Sequence, residues 1–308
     1  MGRATAQGRD RVPRIHLPYR PPYDWAAMLS YLRARAIEGV EQVDGAAYRR
    51  RVRMHGRIGT VEVVHRPERR GLVATLRLPG ARKPAGLVAR LRHMFDLDAD
   101  VAAIGAHLAR DPWLAPLVAS RPGLRVPGGW DGFEVGVRAI LGQQVSVEAG
   151  RRLVGRLVRV CGTARSPDAG EPLLAFPEAD RVARADLTRL GVPRARQRAL
   201  GAVAQAALTD ASLFQPQPLA PLDEVVARLC AIPGIGEWTA QYIALRAVRA
   251  GDAFPARDVG LLRSIAARAG ARPGTDELRE RAERWRPWRA YAAQHLWAAD
   301  AASRAARG

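Results

Sequence analysis

The chain has 308 residues, 48% of them hydrophobic, with 49 Lys+Arg against 30 Asp+Glu and a formal net charge of +19. That length and apolar content bury a real core and allow two or three modest domains or one large one, which excludes a disordered polyelectrolyte. The charge draws polyanions, either nucleic acid or an acidic membrane surface, while two distant cysteines, Cys161 and Cys230, exclude a disulfide framework and a cysteine-held zinc or iron–sulfur site.

In chain order, the basic stretch MGRATAQGRDRVP reads as a loose tail over residues 1–13. No apolar run follows it, so it is expected to be neither signal peptide nor membrane anchor. No window reaches the ~20 apolar residues that span a bilayer, and a reducing, cytoplasmic home is expected. Helical spacing over 23–37 (Trp25, Met28, Leu29, Leu32) opens after the turn PPYD. Residues 48–55, 59–65 and 71–78 are short β-rich runs split by HGRIG and RPERRG, with Leu72, Ala74, Leu76 and Leu78 on one face. Helix returns over 87–95. Residues 14–105 are therefore expected to form a small α+β domain with an antiparallel sheet.

From about residue 106 strand signals stop, and 106–308 are expected to be all-helical, in two lobes. Asp131 with Glu134 makes a capping-box pattern before Val137, Ile140 and Leu141. Ser146 is placed to cap a helix over 147–160. Further helices are expected over 177–190, 194–207, 222–229, 237–249, 259–269, 276–285 and 288–302, with surface loops over 162–174 and 209–221.

Two motifs carry chemistry. In IPGIGEWTAQ (232–241) a Pro-Gly turn joins the helices of 222–229 and 237–249. Such a hairpin leaves unpaired N–H groups at the positive end of the second helix, a site for a phosphate; an ordinary turn between antiparallel helices fits the same ten residues. No GK[ST] follows, so a Walker loop is excluded. Downstream, AFPARDVGLLRSIAARAG places Asp258 at the start of an amphipathic helix. There it reads as a helix cap, or, one helix away from a DNA-holding hairpin, as a carboxylate stabilising positive charge on a deoxyribose ring.

LCAIPGIGEWTAQYIALR followed by FPARDVGLL resembles the helix–hairpin–helix and aspartate of the DNA glycosylase superfamily. PPYDWAAMLSYLRARA, RPGLRVPGGWDGFEVGVRAILGQQVSV and AERWRPWRAYAAQHLW resemble its alkylation-repair branch, the AlkA-type 3-methyladenine DNA glycosylase II, over residues 17–300. The resemblance implies an α+β domain followed by a helical helix–hairpin–helix core at 222–249. It also implies a hydrolase that removes alkylated purines from double-stranded DNA, working without a cofactor as a monomer. Residue by residue, Asp258 matches the essential aspartate. Trp297, Trp238, Tyr242 and Tyr31 match positions around the base pocket. Gly234 and Gly236, with Ile235 and Thr239 beside them, match the phosphate-gripping hairpin, and Gln144 stands where an apolar wedge enters the gap left by the flipped base. The backbone carbonyls of Cys230, Ile232 and Gly234 fall where the family can hold a monovalent cation.

The residue types suit that chemistry: a base must leave the stack to be attacked, and alkylation at N3 or N7 makes a purine cationic, which favours aromatic faces. Trp285 and Trp288 also fit plain core packing. Glycosylases that cut the strand use an amine, usually a lysine after the hairpin. Here Trp238 stands at that place and the single lysine is Lys83, which points to a monofunctional hydrolase. Gln144 for the apolar wedge, and small Val259 where an aromatic ring can stand, are departures from the family pattern. A DNA-binding module without chemistry, and a glycosylase for oxidised or deaminated bases, remain as alternatives.

Overall fold

The computed structural model describes residues 13–54, 56–78, 86–161, 163–164, 173–217, 219–270 and 274–306. Lys83, the tail over 1–12 and much of the expected loop over 162–174 lie outside them.

The first half is a five-stranded antiparallel sheet, in order β1-β5-β4-β3-β2, with a helix packed on it. Strand β1 (Arg14–Pro18) leads into α1 (Trp25–Arg35), capped by Asp24, whose side chain accepts from Ala27 N–H. Strands β2 (Glu41–Asp44), β3 (Ala47–Met54), β4 (Arg57–Arg66) and β5 (Gly71–Arg77) follow. Strands β3 to β5 are the three expected runs; β1 and β2 are additional. In β1 only Ile15 and Leu17 point inward, too short an alternation between prolines to announce a strand. In β2 no residue is fully buried, as suits an edge strand. Leu72, Ala74, Leu76 and Leu78 share the buried face as expected, against Trp25, Met28, Leu29 and Leu32 of α1.

Helices α2 (Leu87–Met94), α3 (Val101–Leu108) and α4 (Ala115–Ser120) lead to α5 (Gly132–Leu141) and α6 (Val147–Cys161). A boundary after residue 105 falls inside α3. The apolar clusters interleave along the chain: Trp130 joins the sheet's core, while Ile37 and Val40 join the helical one. Strands β6 (Thr163–Ala164) and β7 (Leu173–Leu174) form a two-residue ladder, so the second half is not wholly helical. Then come α7 (Ala179–Arg184), α8 (Arg194–Thr209), α9 (Leu222–Cys230), α10 (Glu237–Ile243), α11 (Val259–Ala269), α12 (Thr275–Ala282) and α13 (Arg289–Ala305).

Several expected helices are shorter than their periodicity; that over 276–285 ends at Ala282 and passes into a 3-10 turn, Glu283–Trp285. The one over 177–190 stops at Arg184 because Asp186 captures Thr188 N–H and starts a separate 3-10 turn, Leu187–Leu190. The one over 237–249 becomes a π turn at Ala244–Val248. The capping box is also only half made. Asp131 accepts from Phe133 and Glu134 N–H, but Glu134 does not reach back to it. Its buried carboxylate instead takes Arg50 Nη2 at 2.8 Å and Arg138 Nε at 2.9 Å, joining the sheet to α5.

Candidate active site and nucleic-acid interface

The turn between α9 and α10 is closed by Ile235 N–H donating to Ile232 C=O at 3.0 Å. Gly234 has φ +90°, and a Cβ there would overlap Ala199 of α8. Only glycine suits both demands. Helix α10 follows Gly236 as N-cap, with no side-chain cap hydrogen bond among the described residues, so its first N–H groups are not taken by a capping side chain. Gly234 and Gly236 are exposed, whereas Ile235 and Thr239 are buried. The Ile235 N–H is already spent on Ile232 C=O, so neither buried side chain, nor that amide, is offered to a phosphate.

Gln143, which the sequence did not single out, joins the α5–α6 loop to this turn: its Nε2 donates to Thr239 Oγ1 at 3.0 Å and to Gly234 C=O at 3.2 Å. Arg196 of α8 donates to Gln143 C=O at 2.9 Å. That leaves Gln144 exposed at the loop tip, in the left-handed region at φ +56°, beside exposed Val145 and Val147. The carbonyls of Ile232 and Gly234 each already accept one hydrogen bond, so a cation at Cys230, Ile232 and Gly234 would use their second lone pairs.

Asp258 is the N-cap of α11: its Oδ1 accepts from Gly260 N–H at 2.8 Å and Leu261 N–H at 3.1 Å. The same carboxylate accepts from two indoles, Trp297 Nε1 at 2.8 Å on Oδ1 and Trp238 Nε1 at 3.1 Å on Oδ2. Gly260 makes room for this, since a Cβ there would press on Trp297 Cδ1 at 3.2 Å. Four N–H donors thus fix the carboxylate's orientation. Val259 beside it is 52% exposed.

Trp238 stacks on Tyr242 (5.6 Å, 17°), which meets Trp297 edge-on at 6.3 Å. Tyr31 reaches the same cluster from α1, its hydroxyl meeting that of Tyr242. The four expected pocket aromatics therefore converge. At their centre is Arg246, 3% exposed, with its guanidinium 4.8 Å from the ring of Tyr31, 5.0 Å from Trp297 and 5.6 Å from Tyr242. It donates to Pro127 C=O at 2.8 Å and Gln294 Oε1 at 3.0 Å, and its Nε has no partner among the described residues. Arg246 was missed in the sequence, although Trp238, Tyr242 and Arg246 follow one another at i+4 spacing. Trp285 is core, donating to Asp111 at 3.0 Å, and Trp288 is half-buried against Tyr291. Among the described residues no group of His, Cys, Asp or Glu could hold a metal ion, and no helix is long and apolar enough to cross a membrane.

Comparison with known proteins gives this arrangement its lineage. The family model of the AlkA N-terminal domain matches residues 14–131, and that of the HhH-GPD superfamily base excision DNA repair proteins matches 137–289. DNA-3-methyladenine glycosylase 2 of Escherichia coli is 38% identical over 284 residues, 91% of this chain and 95% of that protein. A Mycobacterium tuberculosis protein described as a bifunctional transcriptional activator/DNA repair enzyme AlkA is 40% identical over 92% of this chain, which spans only 56% of its length. The 3-methyladenine DNA-glycosylase of Archaeoglobus fulgidus shares the fold, with a TM-score of 0.76 at 21% identity over 93% of this chain and 98% of that one. The chain belongs to the HhH-GPD superfamily of base-excision DNA repair proteins and, within it, to the AlkA family.

Proposed function

We propose that the protein is a monofunctional DNA glycosylase that hydrolyses the N-glycosidic bond of alkylated purines flipped out of duplex DNA. The observation that carries this reading is Asp258, pinned by Trp297 and Trp238 at the mouth of an aromatic cluster one helix away from the hairpin. A cap alone needs neither indole.

In this reading the amides at the start of α10, from Gly236 onward, hold a phosphate without reading sequence, and the loop tip at Gln144 enters the gap in the duplex. The flipped purine stacks among Trp297, Trp238 and Tyr242, with Tyr31 closing the pocket. As the C1′–N bond breaks, the Asp258 carboxylate stabilises the positive charge growing on the sugar and steers the attacking water. Trp238 donates its N–H to Asp258 where a lyase would carry its amine, so water is the nucleophile and the strand stays intact. A monovalent cation on the hairpin carbonyls of Cys230, Ile232 and Gly234 would add positive charge beside the phosphate; no step depends on it. We further propose a monomer acting in the cytoplasm on alkylated duplex DNA.

The test is base release from methylated duplex DNA by the wild type and Asp258→Asn, with strand cleavage scored on the same samples. The expected outcome is free 3-methyladenine from the wild type, at least about 100-fold less from the variant, and no nicking. Intact DNA binding with no released base from either would instead leave a binding module with Asp258 as a helix cap.

A further inference from the structure

We propose that a cleft between α4, α11 and α13, on the face of α13 turned away from Asp258, binds the phosphate group of a small phosphate monoester or of free phosphate. The site stands whether or not the chain is a glycosylase.

The cleft measures about 220 Å³ and lies between Leu117 and Ser120 of α4, Arg121 at the end of that helix, Arg268 of α11 and a stripe of α13. Helical spacing places that stripe. His295, Ala298, Ala299 and Ala302 recur at i, i+3, i+4 and i+7 and share one face. Trp297 and Asp300, which meet Asp258 and Arg263, lie on another. The three alanines leave the room between the helices.

The charge around this space is one-sided. Two guanidiniums line it, and no carboxylate among the described residues does. Arg121 is paired at 3.2 Å with Asp24, the N-cap of α1. Arg268 has no such partner: it donates to the hydroxyl of Ser264 at 3.0 Å and to the carbonyl of the same residue at 2.5 Å, both neutral acceptors on its own helix. Burial pulls its pKa below the usual guanidinium value. A partly desolvated cation without a counter-charge costs stability, and an oxyanion in the cleft would remove that cost. The guanidinium fork suits phosphate. Ser303 brings a hydroxyl to the same space, while that of Ser120 donates to Leu117 C=O.

His295 points the same way. It is 7% exposed, it lines the cleft, and its Nδ1 has no partner among the described residues. Burial and then Arg121 push its pKa down to about 4, against a hydrogen bond to the backbone of Leu117. The charged groups facing it are Arg121 and Arg268, with Asp24 beyond Arg121. A neutral ring is thus held among cations. Negative charge placed beside it favours its protonated form, so phosphate should bind with uptake of a proton on His295.

The experiment titrates the full chain with inorganic phosphate, glycerol 3-phosphate and dimethyl phosphate by calorimetry. His295 is followed by NMR against pH with and without phosphate, its signal among the six histidines identified in His295→Gln. The variants are Arg268→Gln and, as a charge control, Arg304→Gln, an exposed residue of α13 off the cleft. One saturable site is expected. Dimethyl phosphate should bind at least about tenfold more weakly, because a diester carries one charge where a monoester carries nearly two. Arg268→Gln should weaken phosphate at least about tenfold, and Arg304→Gln less than about twofold. Phosphate should move the acid limb of the His295 titration at least about one pH unit toward neutrality, an effect absent from Arg268→Gln. Tighter binding of glycerol 3-phosphate would identify a monoester as the ligand, and tighter binding of inorganic phosphate the free ion. No saturable binding, equal weakening by Arg304→Gln, an unmoved His295 titration, or dimethyl phosphate bound as tightly would each overturn the proposal. Should Arg268→Gln fail to fold, the wild-type His295 titration decides alone.

Discussion

Oδ1 of Asp258 closes the first turn of α11 and takes the Trp297 N–H, while Oδ2 takes the Trp238 N–H. Capping and chemistry are therefore separable by one substitution. Asparagine caps a helix as well as aspartate, so Asp258→Asn should fold, but its amide N–H₂ meets the Trp238 N–H donor-to-donor and it carries no charge for the sugar. Gly234 is the second residue with a sharp expectation. Alanine there must adopt φ +90° and displace Ala199. Strain at such a backbone position costs on the order of 1–3 kcal/mol, so Gly234→Ala should lower the unfolding free energy by about that amount in urea melts. It should also weaken binding to undamaged duplex, because the turn that presents the amides has moved. Wild-type affinity in the variant would show that the hairpin does not grip DNA.

At the scale of elements, a buried ionic cluster joins the sheet to the helical half. Glu41, the first residue of β2, accepts from Tyr48 at 2.7 Å and pairs with Arg138 of α5 at 2.6 Å, while Arg50 of β3 bridges Glu41 and Glu134. Burial disfavours charge on Glu41, but Arg138, Arg50 and the hydrogen bonds from Tyr48 and Ile37 outweigh it and hold its pKa down at about 2. A carboxylate depressed in the folded state contributes stability above its unfolded pKa, and loses it as pH falls through the folded one. Melts of the wild type should therefore weaken between about pH 5 and 2. Glu41→Gln should cost about 3 kcal/mol at pH 7, since it strands buried guanidiniums, and should lose part of that acid dependence. A variant as stable as the wild type would mean the cluster contributes nothing net. None of this was legible in the sequence, where Glu41 falls in no expected element, Arg50 in a strand run and Glu134 in a capping-box pattern. What was legible followed periodicity and local chemistry: β3 to β5, α1, α8, α11, the Ser146 cap and the hairpin. What was not depended on tertiary partners: β1 needs β5, Gln143 needs Thr239, and Arg246 is covered by Tyr31 from α1 and by Gln294 and Trp297 from α13.

For the whole molecule the question is how much of the +19 charge reaches DNA. Arg50 and Arg138 pair with buried Glu134, Arg249 with Asp96, Arg281 with Asp111, and Arg289 with Asp252, all within the protein. These guanidiniums hold the fold together and are spent before any phosphate arrives. The salt dependence of binding should therefore report a local grip rather than the net charge. If the hairpin, the Gln144 loop and their flanks contact on the order of five phosphates, log K should fall against log[salt] with a slope near −4.5, about 500-fold between 50 and 200 mM. Loss of the hairpin's phosphate in Gly234→Ala should make that slope shallower by about one unit. A slope unchanged by the variant, with affinity reduced, would place the electrostatic contact elsewhere on the basic surface and leave the hairpin a packing element. A slope shallower than about −2 in the wild type would detach the chain's charge from DNA altogether.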